Sequence, residues 1–276
     1  MVRHPSFFSE NVIAQRIKSG RGQGQGSKYQ PWLQIQDVPS DGRSHRIYSY
    51  KTKRVHHLLS DLELATFLMF DWSESVLDIR EQFPLIRDDT RSIAQNEGIK
   101  HPSVRGVDQV MTTDFLIDAK EPFQKQFAVQ VKYGESFRDE RTIEKLDLER
   151  CYWRQKGTPW VAITEQDIDI VIKKNIEWLY PAQTDDITTA KRIPELMAAL
   201  PAAISRFPEL TIIEACKRID LAYGLELGQS LQDLRLLMAN RLVIFDIRKP
   251  VRQLKISDLT FMQLSEMEQF LYVENQ

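Results

Sequence analysis

Two acidic residues and one lysine that could act together at a metal centre lie on predicted strands and a predicted helix. Asp114 and Lys132 each lie in a predicted strand, and Glu63 lies upstream on a predicted helix. An acid followed along the chain by a lysine, with a polar residue two positions before that lysine, is the pattern of metal-dependent nucleases. Here that polar residue is Gln130, where most such sites have a second carboxylate. The pattern therefore favours chemistry on phosphodiesters.

Phosphodiester hydrolysis needs an activated water, neutralisation of charge on the phosphate and stabilisation of the departing oxygen, and two hard cations supply all three. Magnesium prefers oxygen ligands, and manganese can substitute for it. We expect Asp114 to be the principal bridging ligand and Glu63 to complete one metal site. Either the amide oxygen of Gln130 or the backbone carbonyl of Val131 would add a further ligand.

Lys132 has two possible roles at such a centre. It would orient the attacking water and stabilise the pentavalent phosphate, or it would take a proton if burial lowered its pKa. Neighbouring acids oppose that lowering, which favours the electrostatic role. Each residue alone also has a structural interpretation: Asp114 as a salt-bridge partner, Lys132 as an edge-strand charge and Glu63 as an exposed helical residue.

The elements around these residues predict a small α/β domain. Strand-like segments at residues 110–118 and 126–133 are joined by a polar turn, and alternation in the second places Gln130 and Lys132 on the same face. Apolar residues recur at three- and four-residue steps around Glu63, which predicts a buried helix. Further strands are predicted at residues 76–85 and 159–164 and a charged helix at residues 139–153, whereas residues 86–106 are expected to be irregular.

The leading segment is basic although the whole chain has a net charge of −2. Residues 1–60 contain ten Lys or Arg against three Asp or Glu, which suits binding of a polyanion. The alternating glycines of residues 20–26 predict a mobile basic linker. Further on, cationic and aromatic side chains interleave, and they fit either phosphate contacts or an ordinary hairpin with exposed charges. The candidate phosphate contacts in segment 42–54 are Arg43, Arg46, Lys51 and Arg54.

Length and composition predict two domains of a cytoplasmic protein. A chain of 276 residues exceeds the usual single-domain size. No apolar run is long enough to cross a bilayer, and the first eight residues lack the apolar core of a signal peptide. Cys151 and Cys216 suggest neither a disulfide framework nor a zinc site.

The second domain is predicted to be mainly helical. Helices are expected at residues 209–222 and 229–240, followed by a strand at residues 242–247 and a basic turn, which is compatible with a winged helix. Residues 167–276 contain thirteen Lys or Arg against sixteen Asp or Glu. This balance favours contact with protein over broad phosphate binding.

Long runs of the sequence closely resemble the TnsA endonuclease subunit of heteromeric cut-and-paste transposases. The resemblance extends over most of the chain and is less distinct in the last fifty or so residues. The runs are residues 42–49, 54–63, 105–116, 139–142, 175–180 and 221–228.

The resemblance implies a restriction-endonuclease-like catalytic domain with a mixed sheet flanked by helices, over residues 1–167, and a winged-helix-like domain over residues 168–276. It implies magnesium-dependent cleavage of DNA at the 5′ ends of a mobile element. The family's catalytic acids fall on Glu63 and Asp114, its lysine on Lys132, and its glutamine on Gln130. The implied partners are transposon-end DNA, a TnsB-type transposase that cuts the 3′ ends, and an ATP-dependent TnsC-type regulator.

Two other functions stay open from the sequence. The chain would be mainly an architectural adaptor if its carboxy-terminal domain recruited the regulator and its nuclease domain controlled the partner transposase. It would be a stand-alone restriction-type nuclease if it cut DNA unaided. We find no motif that reads bases.

Overall fold

The computed structural model describes residues 8–38, 42–122, 125–184 and 187–262 of the chain. Residues 1–7, on which most of the signal-peptide argument rests, lie outside this set. The chain divides into two compact units, Met1–Ile168 and Asp169–Gln276. Within the described residues, no helix combines the length and apolar character that a membrane span requires.

The first unit is built around a four-stranded sheet. Its elements in chain order are α1 (Glu10–Lys18), β1 (His45–Ser49), β2 (Arg54–Leu58), α2 (Asp61–Trp72), β3 (Val76–Pro84), α3 (Arg87–Asn96), β4 (Ser103–Val104), β5 (Val107–Asp108), β6 (Thr112–Ala119), β7 (Gln126–Val131), α4 (Glu140–Gln155) and β8 (Trp160–Ile163). The sheet has the order β3-β6-β7-β8, antiparallel except between β7 and β8. Helix α2 packs against β3 and β7, and α4 packs against β8. The predicted mixed sheet flanked by helices is confirmed.

The core between α4 and the sheet explains why the charged segment 139–153 folds as a helix. Asp139 caps its first turn by accepting a hydrogen bond from the backbone N–H of Thr142, at 3.0 Å. Apolar residues of α4 are then buried against β6 and β7, where Leu116 pairs with Ala128. Burying one such aliphatic side chain contributes about 1.5–3 kcal/mol, and this packing adds to the good helix propensity of the Glu, Arg and Lys residues on the outer side.

The prediction that residues 20–26 form a mobile linker is wrong. The backbone N–H of Gly22 donates to the carbonyl of Gln30 at 2.6 Å, which folds the loop back on itself. Gly22 has φ +77°, and a Cβ built there would lie 2.1 Å from Cγ of Pro84 at the end of β3. The glycine is therefore needed because the loop packs directly against the sheet.

The prediction that residues 86–106 are irregular is wrong for α3. Thr90, Ile93 and Ala94 are buried on one side of this helix, at the three- and four-residue spacing of a helical face. Two apolar residues give a weak periodic signal, and the helix begins with the charged run Arg87–Asp89. These features hid an amphipathic helix whose buried side is short.

The second unit is mainly helical, as predicted. Its elements are α5 (Ile170–Leu179), α6 (Ile187–Ile204), α7 (Ile212–Tyr223), α8 (Gln229–Ala239), β9 (Val243–Ile244) and β10 (Thr260–Phe261). The two helices predicted at residues 209–222 and 229–240 correspond to α7 and α8. The strand predicted at residues 242–247 is shorter than expected, and β9 pairs antiparallel with β10. The winged-helix description of this unit stays a prediction.

Candidate active site

Glu63 occupies the third position of α2 and helps to cap the amino terminus of this helix. The hydroxyl of Ser60 accepts from the backbone N–H of Glu63 at 3.0 Å, and the Glu63 Oε2 accepts from the backbone N–H of Leu59 at 2.9 Å. This exchange resembles a capping box, in which a helix-start serine and a glutamate three residues later satisfy unpaired backbone donors. The exchange fixes the carboxylate, which is 7% exposed, in one orientation.

Asp114 and Gln130 lie where β6 and β7 stop pairing. The last backbone pair of this ladder is Phe115 with Val129. Beyond it, side chains make the connections between strands. The backbone N–H of Asp114 donates to Gln130 Oε1 at 3.0 Å, and the backbone N–H of Val131 donates to Asp114 Oδ2 at 2.8 Å. Both side chains are therefore held by the partner strand's backbone.

Lys132 lies at the same point and contacts two of the predicted metal ligands. Its Nζ donates to the backbone carbonyl of Val131 at 2.9 Å and to Asp114 Oδ2 at 3.4 Å. Burial alone would lower the pKa of this ammonium, but the nearby carboxylates of Asp114 and Glu63 outweigh that effect and raise it above its ordinary value. Lys132 therefore carries its charge at neutral pH, which favours the electrostatic role over that of a base.

Gln82, which the sequence analysis did not identify, connects the two acids. Its Nε2 lies 3.1 Å from Asp114 Oδ1 and 3.5 Å from Glu63 Oε2. The hydroxyl of Thr112 donates to its Oε1 at 3.0 Å. The structure thus brings Glu63 and Asp114 within hydrogen-bonding distance of a single nitrogen atom, with Lys132 on the other oxygen of Asp114.

The two acids repel each other in this buried setting. Burial raises the pKa of Glu63 to about 8, and the charge of Asp114 adds to that rise, while the hydrogen bond from Leu59 and the charge of Lys132 oppose it. A second positive charge between the carboxylates would stabilise their ionised forms. The site therefore has the electrostatics of a cation-binding centre.

Glu149 is a second residue that the sequence analysis missed. It lies on α4, is 2% exposed, and accepts through Oε1 from the Thr113 hydroxyl at 2.7 Å and from Trp160 Nε1 at 2.8 Å. Burial raises its pKa to about 8, although these two hydrogen bonds lower it. Asp114 and Lys132 also influence it. Its spacing from buried Leu146 and Tyr152, three residues away on each side, was the available signal.

The donor set is mixed and does not consist of acids alone. Among the described residues, no group of three or more His, Cys, Asp or Glu side chains is arranged to hold a metal ion. The predicted ligands are instead the carboxylates of Glu63 and Asp114 with the Gln130 amide and the Val131 carbonyl. These are hard oxygen donors, which suit magnesium or manganese better than softer metals.

Arg54 is not available to phosphates, which decides against the phosphate contact that the sequence left open for it. Its guanidinium makes two hydrogen bonds to the Glu81 carboxylate, at 2.8 Å and 2.5 Å, and one to the carbonyl of Ile79 at 2.7 Å. His56 Nδ1 lies 2.8 Å from the same carboxylate. Burial would raise the pKa of Glu81, but His56 and Arg54 hold it well below its ordinary range.

The other cations of that segment have different surroundings. Residues 45–58 do form the hairpin β1–β2. Lys51 donates to two backbone carbonyls, at 2.8 Å and 2.7 Å, and so serves the fold. Arg43 pairs with Asp61 at the surface, and Arg46 is exposed. Of the four, Arg43 and Arg46 keep the exposure that a phosphate contact requires.

The chain is similar to known endonuclease sequences along most of its length. A family model described as "TnsA-like endonuclease N terminal" matches residues 73–165, and one described as "TnsA endonuclease C terminal" matches residues 167–247. The chain is 54% identical over 278 residues to "Transposon Tn7 transposition protein TnsA" of Escherichia coli, with 100% of each chain covered. Asp114, Gln130 and Lys132 lie inside the first match, and Glu63 lies before it.

Proposed function

The chain belongs to the TnsA endonuclease family, and we propose that this transposase endonuclease subunit cuts at the 5′ ends of a mobile element, with Glu63, Asp114 and Lys132 as its reacting groups. One observation carries the assignment of the site. Two buried carboxylates meet at one amide nitrogen, and the lysine contacts the remaining oxygen of the second carboxylate. These contacts come from the folded chain itself and do not depend on the family match.

The oxygen donors fit a hard divalent cation. The carboxylates of Asp114 and Glu63 would bind the cation. At the end of β7, the Gln130 amide oxygen and the Val131 carbonyl would supply further donors. When bound, magnesium, or manganese in its place, supplies an activated water and neutralises charge on the phosphate. The buried setting strengthens each of these electrostatic contacts, because water does not screen them there.

Lys132 stabilises the charge that develops during hydrolysis. Its ammonium is held by the Val131 carbonyl and Asp114, and it stays protonated because the carboxylates of Asp114 and Glu63 raise its pKa despite burial. A fixed positive charge beside the scissile phosphate favours the pentavalent transition state over the ground state. Lys132 therefore acts by charge and orientation, and another group or the solvent accepts the proton of the attacking water.

The test is Asp114→Ala in a reconstituted transposase complex. We expect 5′-strand cleavage to be abolished while binding to the partner proteins is unchanged, since Asp114 is buried in the site. Asp118→Asn is the matched control, because Asp118 lies on the same strand but contacts Arg80 and Gln126. Cleavage that persists in the Asp114 variant would reject the site.

We propose that the two units divide the function, with residues 1–167 as the catalytic domain and residues 168–276 as a winged-helix-like docking domain. The second unit exposes apolar side chains at the end of α7 and in the loop after it, which suits contact with protein. They are Leu221, Tyr223, Leu225 and Leu227, with exposed fractions of 66%, 58%, 44% and 66%. An ATP-dependent TnsC-type regulator is the proposed occupant, while the TnsB-type transposase cuts the 3′ ends.

The same apolar surface supports the second candidate, a mainly architectural adaptor. The double variant Leu221→Glu/Leu227→Glu separates the two functions when it is compared with Asp114→Ala. An adaptor loses stimulation of 3′-strand cutting with the surface variant and keeps it with the site variant. If purified protein cut DNA unaided with magnesium, the stand-alone nuclease would replace both.

A further inference from the structure

Gln82 is buried, conformationally strained and placed directly at the candidate site. It is 2% exposed and has φ +48°. The left-handed backbone region is unfavourable for a residue with a side chain, and glycine would adopt it without that penalty. Such an outlier persists only where the surroundings hold it in place, and it is a reason to ask what the side chain does.

The surroundings of Gln82 hold its backbone and side chain together. In the β3–β6 ladder, Glu81 pairs with Phe115 and Phe83 pairs with Thr113, which brackets Gln82 opposite Asp114. Its backbone carbonyl accepts from the N–H of Trp32 at 3.1 Å. The strained backbone is therefore fixed from the amino-terminal segment on one side and from β6 on the other.

The carboxamide uses both of its ends. Its oxygen accepts from Thr112, which orients the nitrogen toward the carboxylates. The nitrogen then reaches Asp114 Oδ1 at 3.1 Å and Glu63 Oε2 at 3.5 Å. Each carboxylate oxygen has two lone pairs, so it can accept from an amide and bind a cation at the same time.

We propose that Gln82 is a positioning residue of the nuclease site, whose carboxamide joins Glu63 to Asp114 and thereby sets the affinity for the divalent cation. This inference rests on the proposed function, because it takes both acids as metal ligands. Partners that hold ligating side chains in place typically change metal affinity 10–100-fold when they are removed. The strain at Gln82 persists because Trp32 and the β3–β6 ladder hold its backbone in place.

The experiment measures Mn²⁺ binding to the full chain by calorimetry, with thermal unfolding measured beside it, for Gln82→Gly, Gln82→Ala and Gln82→Asn. All three remove the carboxamide contact between Glu63 and Asp114, because glycine and alanine have no carboxamide and that of asparagine is one methylene too short. Only glycine also relieves the backbone. We expect all three to bind Mn²⁺ about 10–100-fold more weakly, while Gln82→Gly unfolds at a higher temperature than Gln82→Ala. Arg241→Gly compared with Arg241→Ala, at φ +62° in the second unit, is the control for relief of backbone strain away from the site.

The outcomes separate this inference from the proposed function. If Asp114→Ala abolishes Mn²⁺ binding but the Gln82 variants bind like the wild type, the positioning role is wrong and the site stands. If Mn²⁺ affinity follows unfolding temperature across the three variants, Gln82 is only structural. If the wild type binds no Mn²⁺, or Asp114→Ala binds it equally well, both proposals fail. In the transposase complex, a positioning role predicts that the Gln82 variants need a higher metal concentration than the wild type for half-maximal cleavage. Their cleavage rate at saturating metal should be nearly that of the wild type.

Discussion

Replacing Arg54 by methionine tests whether this arginine serves the fold or the nucleic acid. The side chains of Arg54 and Glu81 are 7% and 0% exposed, and they share two hydrogen bonds. Methionine fills similar space but leaves the Glu81 carboxylate buried beside His56 without the charge and the two hydrogen bonds of Arg54. Removing one partner of a buried ion pair costs about 3–5 kcal/mol, which corresponds to a fall in unfolding temperature of roughly 6–20 °C for a domain of this size.

The assay pairs thermal unfolding with DNA binding at several salt concentrations. Arg54→Met is expected to lower the unfolding temperature, and Arg54→Met/Glu81→Gln should recover part of the loss because a neutral amide replaces the buried Glu81 carboxylate. Exposed Arg46→Met is the matched control and should leave the unfolding temperature within about 2 °C of the wild type. The reasoning would be refuted by an Arg54→Met protein that unfolds like the wild type yet binds DNA more weakly with a reduced salt slope.

Two further predictions concern the buried acid on α4 and the packed glycine loop. Because the pKa of Glu149 is raised from 4.5 to about 8 in the fold, its contribution to stability is present below pH 4.5 and is lost as pH rises toward 8. Glu149→Gln should therefore unfold close to the wild type at pH 5 and at a higher temperature at pH 8, and an equal difference at both pH values would contradict the buried-acid assignment. Gly22→Ala should lower the unfolding temperature more than Gly20→Ala, since both have positive φ but only Gly22 lies against Pro84; equal losses would mean that the loop does not pack as described.

The sequence predicts the regular elements that carry strong periodic patterns. The buried helix with Glu63, the paired strands with Asp114 and Gln130, and helices α7 and α8 all have apolar residues at clear intervals. Helix α3 was missed because its buried side contributes only Ile93 and Ala94 as apolar residues. Local periodicity records how much apolar surface an element buries, so short buried faces escape it.

The parts of the site that escaped prediction depend on contacts between distant segments. Gln82 has no distinctive neighbours in sequence, and its importance comes from Glu63 and Asp114, nineteen and thirty-two residues away. For Arg54, the interleaved cationic and aromatic residues of segment 42–54 fit either a phosphate contact or an ordinary hairpin. The partner of Arg54, Glu81, is twenty-seven residues away, so charge patterning alone could not separate a surface cation from a buried one.

The basic leading segment binds the backbone of β3 next to the candidate site. The hydroxyl of Tyr29 donates to the carbonyl of Glu81 at 3.0 Å, and the N–H of Trp32 donates to the carbonyl of the next residue, Gln82. Both aromatic side chains are buried. Arg54 holds the Glu81 side chain from the hairpin. Two separate stretches of chain, the leading segment and the hairpin, therefore fix two adjacent residues of β3, and one of these two residues contacts both acids. A rigid backbone at this point keeps two mutually repelling carboxylates in place, which is what a site for a divalent cation requires.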